Sequence, residues 1–203
     1  MGKYSILIFL FISSALFSQS KFSRLSAPEK RWVLLHPFVA KKAFKITQHV
    51  MHDVDSLKNI GTIGKDNNGG KLDAFKHAYW MTSLSFSIGK KKALKLGIAH
   101  EKGNYIQWKR KLLEDSLLPD SISSEMDKQN NAIGIQLSTE CKHLHFKGEI
   151  FDLVMNALKS GRLVVIKKDD KGNYLTCDGL VVNMFDWKGR WSIPKCLVPS
   201  NIN

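Results

Sequence analysis

The segment from Leu72 to Ile88 constrains the fold of this chain most strongly, because its apolar side chains fall on two faces of a predicted helix. At about 100° per residue, one arc of this helix mixes polar and apolar side chains, namely Asp73, His77, Trp80, Met81, Leu84 and Ile88. A second stripe is apolar and aromatic, namely Phe75, Tyr79 and Phe86. A helix that is apolar on two faces packs at the centre of a bundle. The sequence therefore predicts a mainly helical fold whose interior contains Asp73 and His77.

Helical signals also precede and follow this segment. Ser26 and Glu29 have the spacing of a capping box, which predicts that a helix begins there, and this helix must stop or kink at His36 and Pro37. Further helices are predicted from Pro37 to about Asp55, from Lys90 to about Glu101, from Tyr105 to Leu118, from Ser123 or Ser124 through Gly134, and from Gly148 to about Lys159. The segment from Asn59 to Gly70 is rich in Gly and Asn and predicts a long loop.

The pattern changes after Gly161, where β-branched residues and a two-residue period replace the helical period. Strands are predicted at Leu163 to Ile166, Tyr174 to Cys177, Leu180 to Asn183 and in a segment at Trp191, with a turn at Asp169 to Gly172. We expect a small antiparallel hairpin or a three-stranded sheet. The predicted fold class is therefore α+β, with a mainly helical domain in residues 21–160 and a small C-terminal antiparallel β-sheet in residues 161–203.

The first twenty residues have the pattern of a secretory signal peptide. Lys3 precedes an apolar run from Ser5 to Phe17, and small or polar residues follow it. We expect cleavage near Ser18 or Gln19 and a secreted or periplasmic protein. The alternative is an N-terminal membrane anchor, but the run is shorter than the roughly 20 residues that a spanning helix needs. The mature chain is predicted to contain no transmembrane helix.

The charge balance is strongly basic, with 31 Lys and Arg against 18 Asp and Glu, a formal net charge of +13. Such a balance favours polyanions or the negative face of a membrane or envelope, and hence an anionic component of the envelope as a partner. A small substrate is the other partner that we expect. Only five of the cations are Arg, the residue that makes bidentate contacts with bases, so sequence-specific nucleic-acid binding is not expected. The alternative interpretation is a lysine-rich solvated surface without a partner.

The chain contains three cysteines, Cys141, Cys177 and Cys196. In an exported protein, one disulfide and one free thiol are the simplest arrangement. We predict a bridge between Cys177 and Cys196, because both lie in the β-rich segment, and a free thiol at Cys141.

Three predicted helices each direct titratable or amide groups towards the interior. The predicted catalytic residues are His77, His100, Glu101 and Asp127, and the predicted substrate-binding residues are Lys76, Trp80, Asn130 and Asn131. Neutral imidazoles and carboxylate oxygens are suited to zinc, manganese or iron. We therefore expect Asp73, His77, His100 and Asp127 to bind a divalent metal ion, zinc or manganese, in a metal-dependent hydrolase.

Two other interpretations of the same residues stay open. Carboxylates and imidazoles that partner one another would make a structural polar network, in a non-catalytic protein associated with the envelope. A metal-free binding pocket is the third possibility.

Three blocks of the sequence resemble an uncharacterised bacterial family, a domain of unknown function. They are the residues from Asp73 to Trp80 (DAFKHAYW), from Ala99 to Glu101 (AHE), and from Met126 to Asn131 (MDKQNN). The resemblance covers roughly residues 67–140, and Lys76 stands where the family often carries Arg. The resemblance implies a shared fold and site but no specific reaction. The order of His, His-acid and Asp is also loosely similar to that of HD-type phosphohydrolases, although Glu101 stands where those have Asp.

Overall fold

The computed structural model describes residues 22–111, 118–140 and 147–202. These ranges contain six helices and two strands: α1 Ala27–Leu35, α2 Pro37–Ile60, α3 Lys71–Ile88, α4 Lys90–Lys109, α5 Ser121–Glu140, α6 Lys147–Lys159, β1 Val164–Ile166 and β2 Leu197–Pro199. The predicted α+β class, a mainly helical body with a small C-terminal antiparallel sheet, is confirmed. The predicted signal peptide and Cys141 lie outside the described residues.

Helix α3 occupies the centre of the fold, as its two apolar faces predict. It packs against α2, α4, α5 and α6, and Leu72, Phe75, Met81 and Leu84 are fully buried. Its closest neighbour is α5, where Gly134 lies against the backbone of Ala78. The helix therefore presents side chains to most of the bundle at once.

The first two helices begin where the sequence predicts. Ser26 accepts from the amide of Glu29 (3.4 Å), and Glu29 Oε2 accepts from the amide of Ser26 (2.8 Å), which completes the capping box. Helix α1 ends at Leu35, before Pro37. Helix α2 extends to Ile60, beyond the predicted end at Asp55, because Leu57 continues its buried face.

Helix α4 is one continuous helix, and the predicted division near residue 103 is wrong. Gly103 lies inside it, where a Cβ atom would stand 2.6 Å from the hydroxyl oxygen of Ser26. The glycine therefore permits the start of α1 to approach α4 instead of breaking the helix. Residues 112–117, in the second half of the predicted helix from Tyr105 to Leu118, are not described.

Helix α5 begins at Ser121, earlier than predicted, because Asp120 caps it. Asp120 Oδ1 accepts from the amides of Ile122 (2.9 Å) and Ser123 (3.0 Å). The other oxygen of Asp120 binds the ammonium group of Lys195 at 2.6 Å, and both side chains are buried. A residue from the C-terminal segment therefore supports the start of α5.

The strand pairing differs from the prediction. β1 pairs antiparallel with β2, so that Val165 lies opposite Val198. The segment around Tyr174 forms only isolated bridges, one to Lys168 and one from Leu175 to Val181. The predicted disulfide between Cys177 and Cys196 is confirmed, and the amide of Cys196 donates to Leu175 O (2.9 Å). These contacts bring the last segment next to β1, a long-range pairing that no local pattern reveals.

The sheet is bonded to the helical body at several points. The side chain of Asn130 on α5 both donates to Val164 O (2.9 Å) and accepts from Val164 N (3.0 Å). The amide of Ile166 donates to Gly69 O at 2.8 Å, and the hydroxyl of Ser200 donates to Leu158 O at 2.6 Å. Within the described ranges, no helix is both long enough and apolar enough to cross a membrane.

Candidate functional site

Two aspartates and one histidine converge between α3 and α5. His77 Nε2 lies 3.2 Å from Asp127 Oδ1 and 3.6 Å from Asp73 Oδ1. Asp73 and His77 share a face because they are one turn apart on α3, and Asp127 faces them from α5. One donor atom from each residue lies within 4.8 Å of the others, and all three side chains are buried. We refer to Asp73, His77 and Asp127 as the Asp–His–Asp cluster.

The loop before α3 fixes the orientation of Asp73. The amide of Gly69 donates to Asp73 Oδ2 (2.8 Å), and Lys76 Nζ lies 2.7 Å from Asp73 Oδ1. Gly69 has a φ of +85°, and a Cβ atom there would stand 2.6 Å from the side chain of Ile166 in β1. Only glycine lets the backbone pass under β1 at this point and reach the carboxylate. The loop predicted from Asn59 to Gly70 therefore contacts the Asp–His–Asp cluster through the amide of Gly69.

His77 is held as a neutral imidazole. Burial lowers its pKa well below the ordinary value of 6.5, and the positive charges of Lys76 and His100 lower the pKa further, whereas the side chain of Asn131 acts in the opposite direction. Among the described residues, neither His77 Nδ1 nor Asn131 Oδ1 has a hydrogen-bond partner of ordinary geometry. The imidazole therefore presents Nε2 to the two carboxylates, with Asn131 nearby.

His100 lies beside the cluster, but its ring is directed to another partner. The ring centroids of His77 and His100 are 6.1 Å apart, and Trp80 packs edge-on against His100 at 5.5 Å. His100 Nδ1 lies 3.0 Å from Glu29 Oε1 on α1. The structure therefore does not bring His100 into the close group of ligand atoms. The sequence did not indicate Glu29 as its partner, because 71 residues separate the two.

Glu101 and Trp80 also have partners outside the cluster. Glu101 is buried and accepts from Ser124 Oγ (3.1 Å) and from Asn104 Nδ2 (3.5 Å). The indole of Trp80 donates to Thr47 Oγ1 at 2.8 Å. Trp80 therefore links α3 to α2 through its polar atom, while Glu101 links α4 to α5.

A largely apolar cavity of about 610 Å³ lies between α4 and α5, next to Glu101. Its lining includes Met81, Gly97, Ile98, Tyr105, Trp191 and the side chain of Asn131. Asn131 is thus shared between the cavity and the surroundings of His77. A small molecule in this cavity would be one side chain away from the Asp–His–Asp cluster.

The two adjacent asparagines have different surroundings. Asn130 is fully buried, and its amide forms both hydrogen bonds to the backbone of Val164. Asn131 instead lies beside His77 and lines the cavity. Of the predicted substrate-binding residues, Asn131 and Lys76 are therefore the ones that lie against the cluster.

The C-terminal segment adds a charged network on the Asp73 side. Lys195 pairs with Asp120, Lys168 pairs with Asp66, and their ammonium groups lie 3.9 Å and 4.6 Å from the ring centroid of Tyr174. Burial raises the pKa of Tyr174 to about 12, and the carboxylates of Asp66, Asp120 and Asp73 contribute to this shift. Burial also lowers the pKa of Lys195, although Asp120 opposes the change. These pairs span 75 and 102 residues, so sequence spacing could not reveal them.

Comparison with known proteins gives one family match. The model of a domain of unknown function, DUF6973, matches residues 30–162. No curated protein and no solved structure matches the chain. The match covers all three blocks that carried the resemblance, and it confirms the expected kind of family without assigning an activity. The chain therefore belongs to the DUF6973 family.

Proposed function

We propose that Asp73, His77 and Asp127 bind one divalent metal ion and that the domain is a metal-dependent hydrolase. The observation that carries this proposal is the convergence of three buried ligand atoms within 4.8 Å of one another. One imidazole and two carboxylates form a donor set that suits zinc or manganese. Three protein ligands would leave coordination positions for water and substrate.

The protonation state of His77 supports this proposal. A metal ligand must be a neutral imidazole, and the lowered pKa of His77 satisfies that condition. Metal-binding histidines usually have an outer partner on the second ring nitrogen, and Asn131, whose side chain acts on the pKa of His77, would take that role. The cluster brings two carboxyl side chains together, and one ammonium group, that of Lys76, lies 2.7 Å from Asp73 Oδ1.

A bound ion would supply a water of lowered pKa and would polarise the scissile phosphoryl or carbonyl oxygen. Side chains around the cluster would orient the substrate and balance charge. Asn131 borders the cavity and would orient a substrate there, and Lys76 would neutralise charge at Asp73. Glu101 provides a buried carboxylate on the cavity wall, within reach of a substrate that occupies the cavity.

Metal analysis of the full chain tests the proposal directly. The protein is purified without chelators or a His tag, beside Asp127→Asn and the control Asp53→Asn. Asp53 is a matched control because it too lies near a histidine, 3.3 Å from His49 Nε2, but outside the cluster. We expect one metal ion per chain in the parent and in Asp53→Asn, and none in Asp127→Asn. Added zinc or manganese at about 100 times its Kd should stabilise the parent by about 2.7 kcal/mol.

The hydrolase part of the proposal needs its own assay. Chromogenic phosphodiesters and carboxylic esters are incubated with the metal-loaded parent and with both variants. We expect hydrolysis by the parent and by Asp53→Asn only. A parent without stoichiometric metal, combined with strong destabilisation of Asp127→Asn, would instead identify the cluster as a structural polar network. Bound metal without hydrolysis of either substrate class would contradict the proposed hydrolase activity but support the proposed metal site.

We further propose that the chain is exported to the periplasm or the medium. The disulfide between Cys177 and Cys196 supports this, because disulfides persist in oxidising compartments. Fractionation of producing cells, with sequencing of the N-terminus, tests the proposal. We expect the mature chain to begin near residue 19 or 20; an uncleaved chain in the cytoplasm would contradict it.

A further inference from the structure

Three large apolar side chains protrude from the corner between α1 and α2. Leu34, Leu35 and Phe38 are 72%, 67% and 98% exposed. They lie within five consecutive residues on either side of His36, where one helix ends and the next begins. Exposed apolar residues that occur singly need no explanation, but a cluster of them on a soluble surface indicates a contact site.

The same corner carries several positive charges in a stretch of sequence without acidic residues. Between Lys30 and His52 the sequence contains no Asp or Glu, but it contains five cations, Lys30, Arg31, Lys41, Lys42 and Lys45. The preceding acid, Glu29, is turned inward to Ser26 and His100. The following acid, Asp53, accepts from the hydroxyl of Tyr79 at 2.8 Å. The five cations therefore have no acidic neighbour along this stretch of the chain.

The helical phases place these charges and apolar side chains together. On α2, Phe38, Lys41, Lys42 and Lys45 fall within one arc of about 100°. The buried residues Ala43, Val50 and Val54 lie on the opposite face. On α1, Arg31, Leu34 and Leu35 also share one exposed face. We call these seven residues the corner surface: Arg31, Leu34, Leu35, Phe38, Lys41, Lys42 and Lys45.

We propose that the corner surface docks on an anionic lipid bilayer. Protruding Leu and Phe side chains beside Lys and Arg are the combination that binds the boundary between headgroups and acyl chains. The cations match the negative surface potential of anionic lipids, and the apolar side chains enter the interface. A nucleic acid would satisfy the cations, but it would leave Leu34, Leu35 and Phe38 exposed to water. The proposal does not depend on the metal site.

Vesicle sedimentation tests this proposal with two lipid compositions. One is phosphatidylcholine alone, and the other is three parts phosphatidylcholine to one part phosphatidylglycerol. We expect the full chain to bind the anionic vesicles more tightly, and added salt to weaken that binding. Because residues 5–17 are themselves apolar, a chain that lacks residues 1–20 is measured in parallel and should bind equally well. Loss of binding in that shorter chain would overturn the proposal.

Two variants and two matched controls locate the contact. Lys41→Gln, Lys42→Gln and Lys45→Gln together should lower the partition constant about 100-fold, at about fivefold per cation. The control removes the same charge from exposed positions elsewhere: Lys159→Gln, Lys171→Gln and Lys188→Gln. Phe38→Ser should lower binding about tenfold or more, whereas Phe185→Ser, at a position 81% exposed, should not.

The outcomes separate docking from general electrostatic attraction. Equal losses in the two lysine triples would show that only net charge matters, and would overturn the proposal. Unchanged vesicle binding by Phe38→Ser, with duplex DNA competing fully for the protein, would indicate a polyanion site instead. Each variant is also compared with the parent in thermal unfolding. Because the substituted residues are exposed, we expect midpoints close to that of the parent, with a small decrease in the triple variant that includes Lys42, whose ammonium group donates to Ser87 O at 2.6 Å. Vesicle binding is compared among folded proteins.

Discussion

Gly134 and Ala78 bring α5 and α3 into backbone contact. A Cβ atom on Gly134 would lie 2.4 Å from the carbonyl oxygen of Ala78, closer than the 3.0 Å below which real Cβ atoms essentially never occur. The hydroxyl of Thr82 donates to Gly134 O across the same contact, at 3.0 Å. Ala78 follows His77, and Gly134 lies about two helical turns from Asp127. The contact therefore sets the spacing of the helices that carry the Asp–His–Asp cluster.

Gly134→Ala tests this spacing. We expect the free energy of unfolding to fall by about 1–3 kcal/mol, because the clashing atom is the backbone carbonyl oxygen of Ala78, which can move only if helix α3 shifts. Urea unfolding gives the measurement. Gly148→Ala is the control, since a Cβ atom there meets nothing within 4 Å, and it should leave stability unchanged or slightly higher. Equal stability of Gly134→Ala and the parent would contradict the close contact.

The adjacent asparagines give a second prediction. Asn130→Ala should cost on the order of 1–3 kcal/mol of stability, because it removes both hydrogen bonds to Val164 and leaves that backbone unpaired. Asn131→Ala should cost less stability. If the proposed metal site exists, Asn131→Ala should instead weaken metal affinity about tenfold or more, through the orientation of His77. Chemical unfolding and metal titration of both variants separate the two roles, and a reversed pattern would contradict them.

The disulfide gives a third prediction. Cys177 and Cys196 are 19 residues apart, and closing a loop of that size is worth about 3 kcal/mol in the chain-entropy model. We expect the double variant Cys177→Ser and Cys196→Ser to lose about that much stability. Hydrogen exchange should show faster exchange of the Lys167 amide, which donates to Cys196 O. The buried amides of α3 exchange through global unfolding, so they should accelerate only as much as the loss of stability requires. A larger acceleration at Lys167 would mark local opening of the C-terminal segment, and an unchanged Lys167 amide would contradict the prediction.

The fourth prediction concerns acid. Burial raises the pKa of Glu29, but hydrogen bonds from His100 and Ser26 and the charge of His100 outweigh burial, so that the pKa lies below the ordinary value of 4.5. A carboxylate with a lowered folded-state pKa contributes stability above its unfolded pKa and loses it as the pH falls through the folded value. Stability of the parent should therefore fall below about pH 4.5 more steeply than that of Glu29→Gln.

Urea midpoints measured across the acid range check this dependence. Glu125→Gln, a change at an exposed position, is the control and should follow the parent. If Glu29→Gln loses stability in acid as steeply as the parent, the ion pair with His100 does not stabilise the fold as argued.

Local patterns were sufficient for the central part of the fold. The period of α3 predicted a buried helix with Asp73 and His77 facing inward, and the capping box placed the start of α1. These signals depend on residues within a few positions of one another, where backbone geometry fixes which side chains share a face.

Features that depend on distant residues were not predictable in this way. The Asp120 cap is stabilised by Lys195, His100 binds Glu29, and β1 pairs with β2. The predicted division between Glu101 and Tyr105 was wrong for the same reason, since only the approach of Ser26 explains why a glycine, Gly103, lies inside α4. A single sequence contains no direct record of these contacts, because side chains far apart along the chain meet only after folding.

The bonds between α5 and the C-terminal segment have a consequence for fragments of this protein. Lys195 binds Asp120, the residue that caps the start of α5. The side-chain amide of Asn130, in the middle of the same helix, donates to Val164 O. A fragment that ended at residue 160 would retain every helix of the described ranges. However, Asp120 and Asn130 would lose the hydrogen-bond partners that the C-terminal segment provides. Such a fragment would carry Asp127 on a helix that had lost its supports, so helical content alone would be a poor guide to whether the Asp–His–Asp cluster had formed.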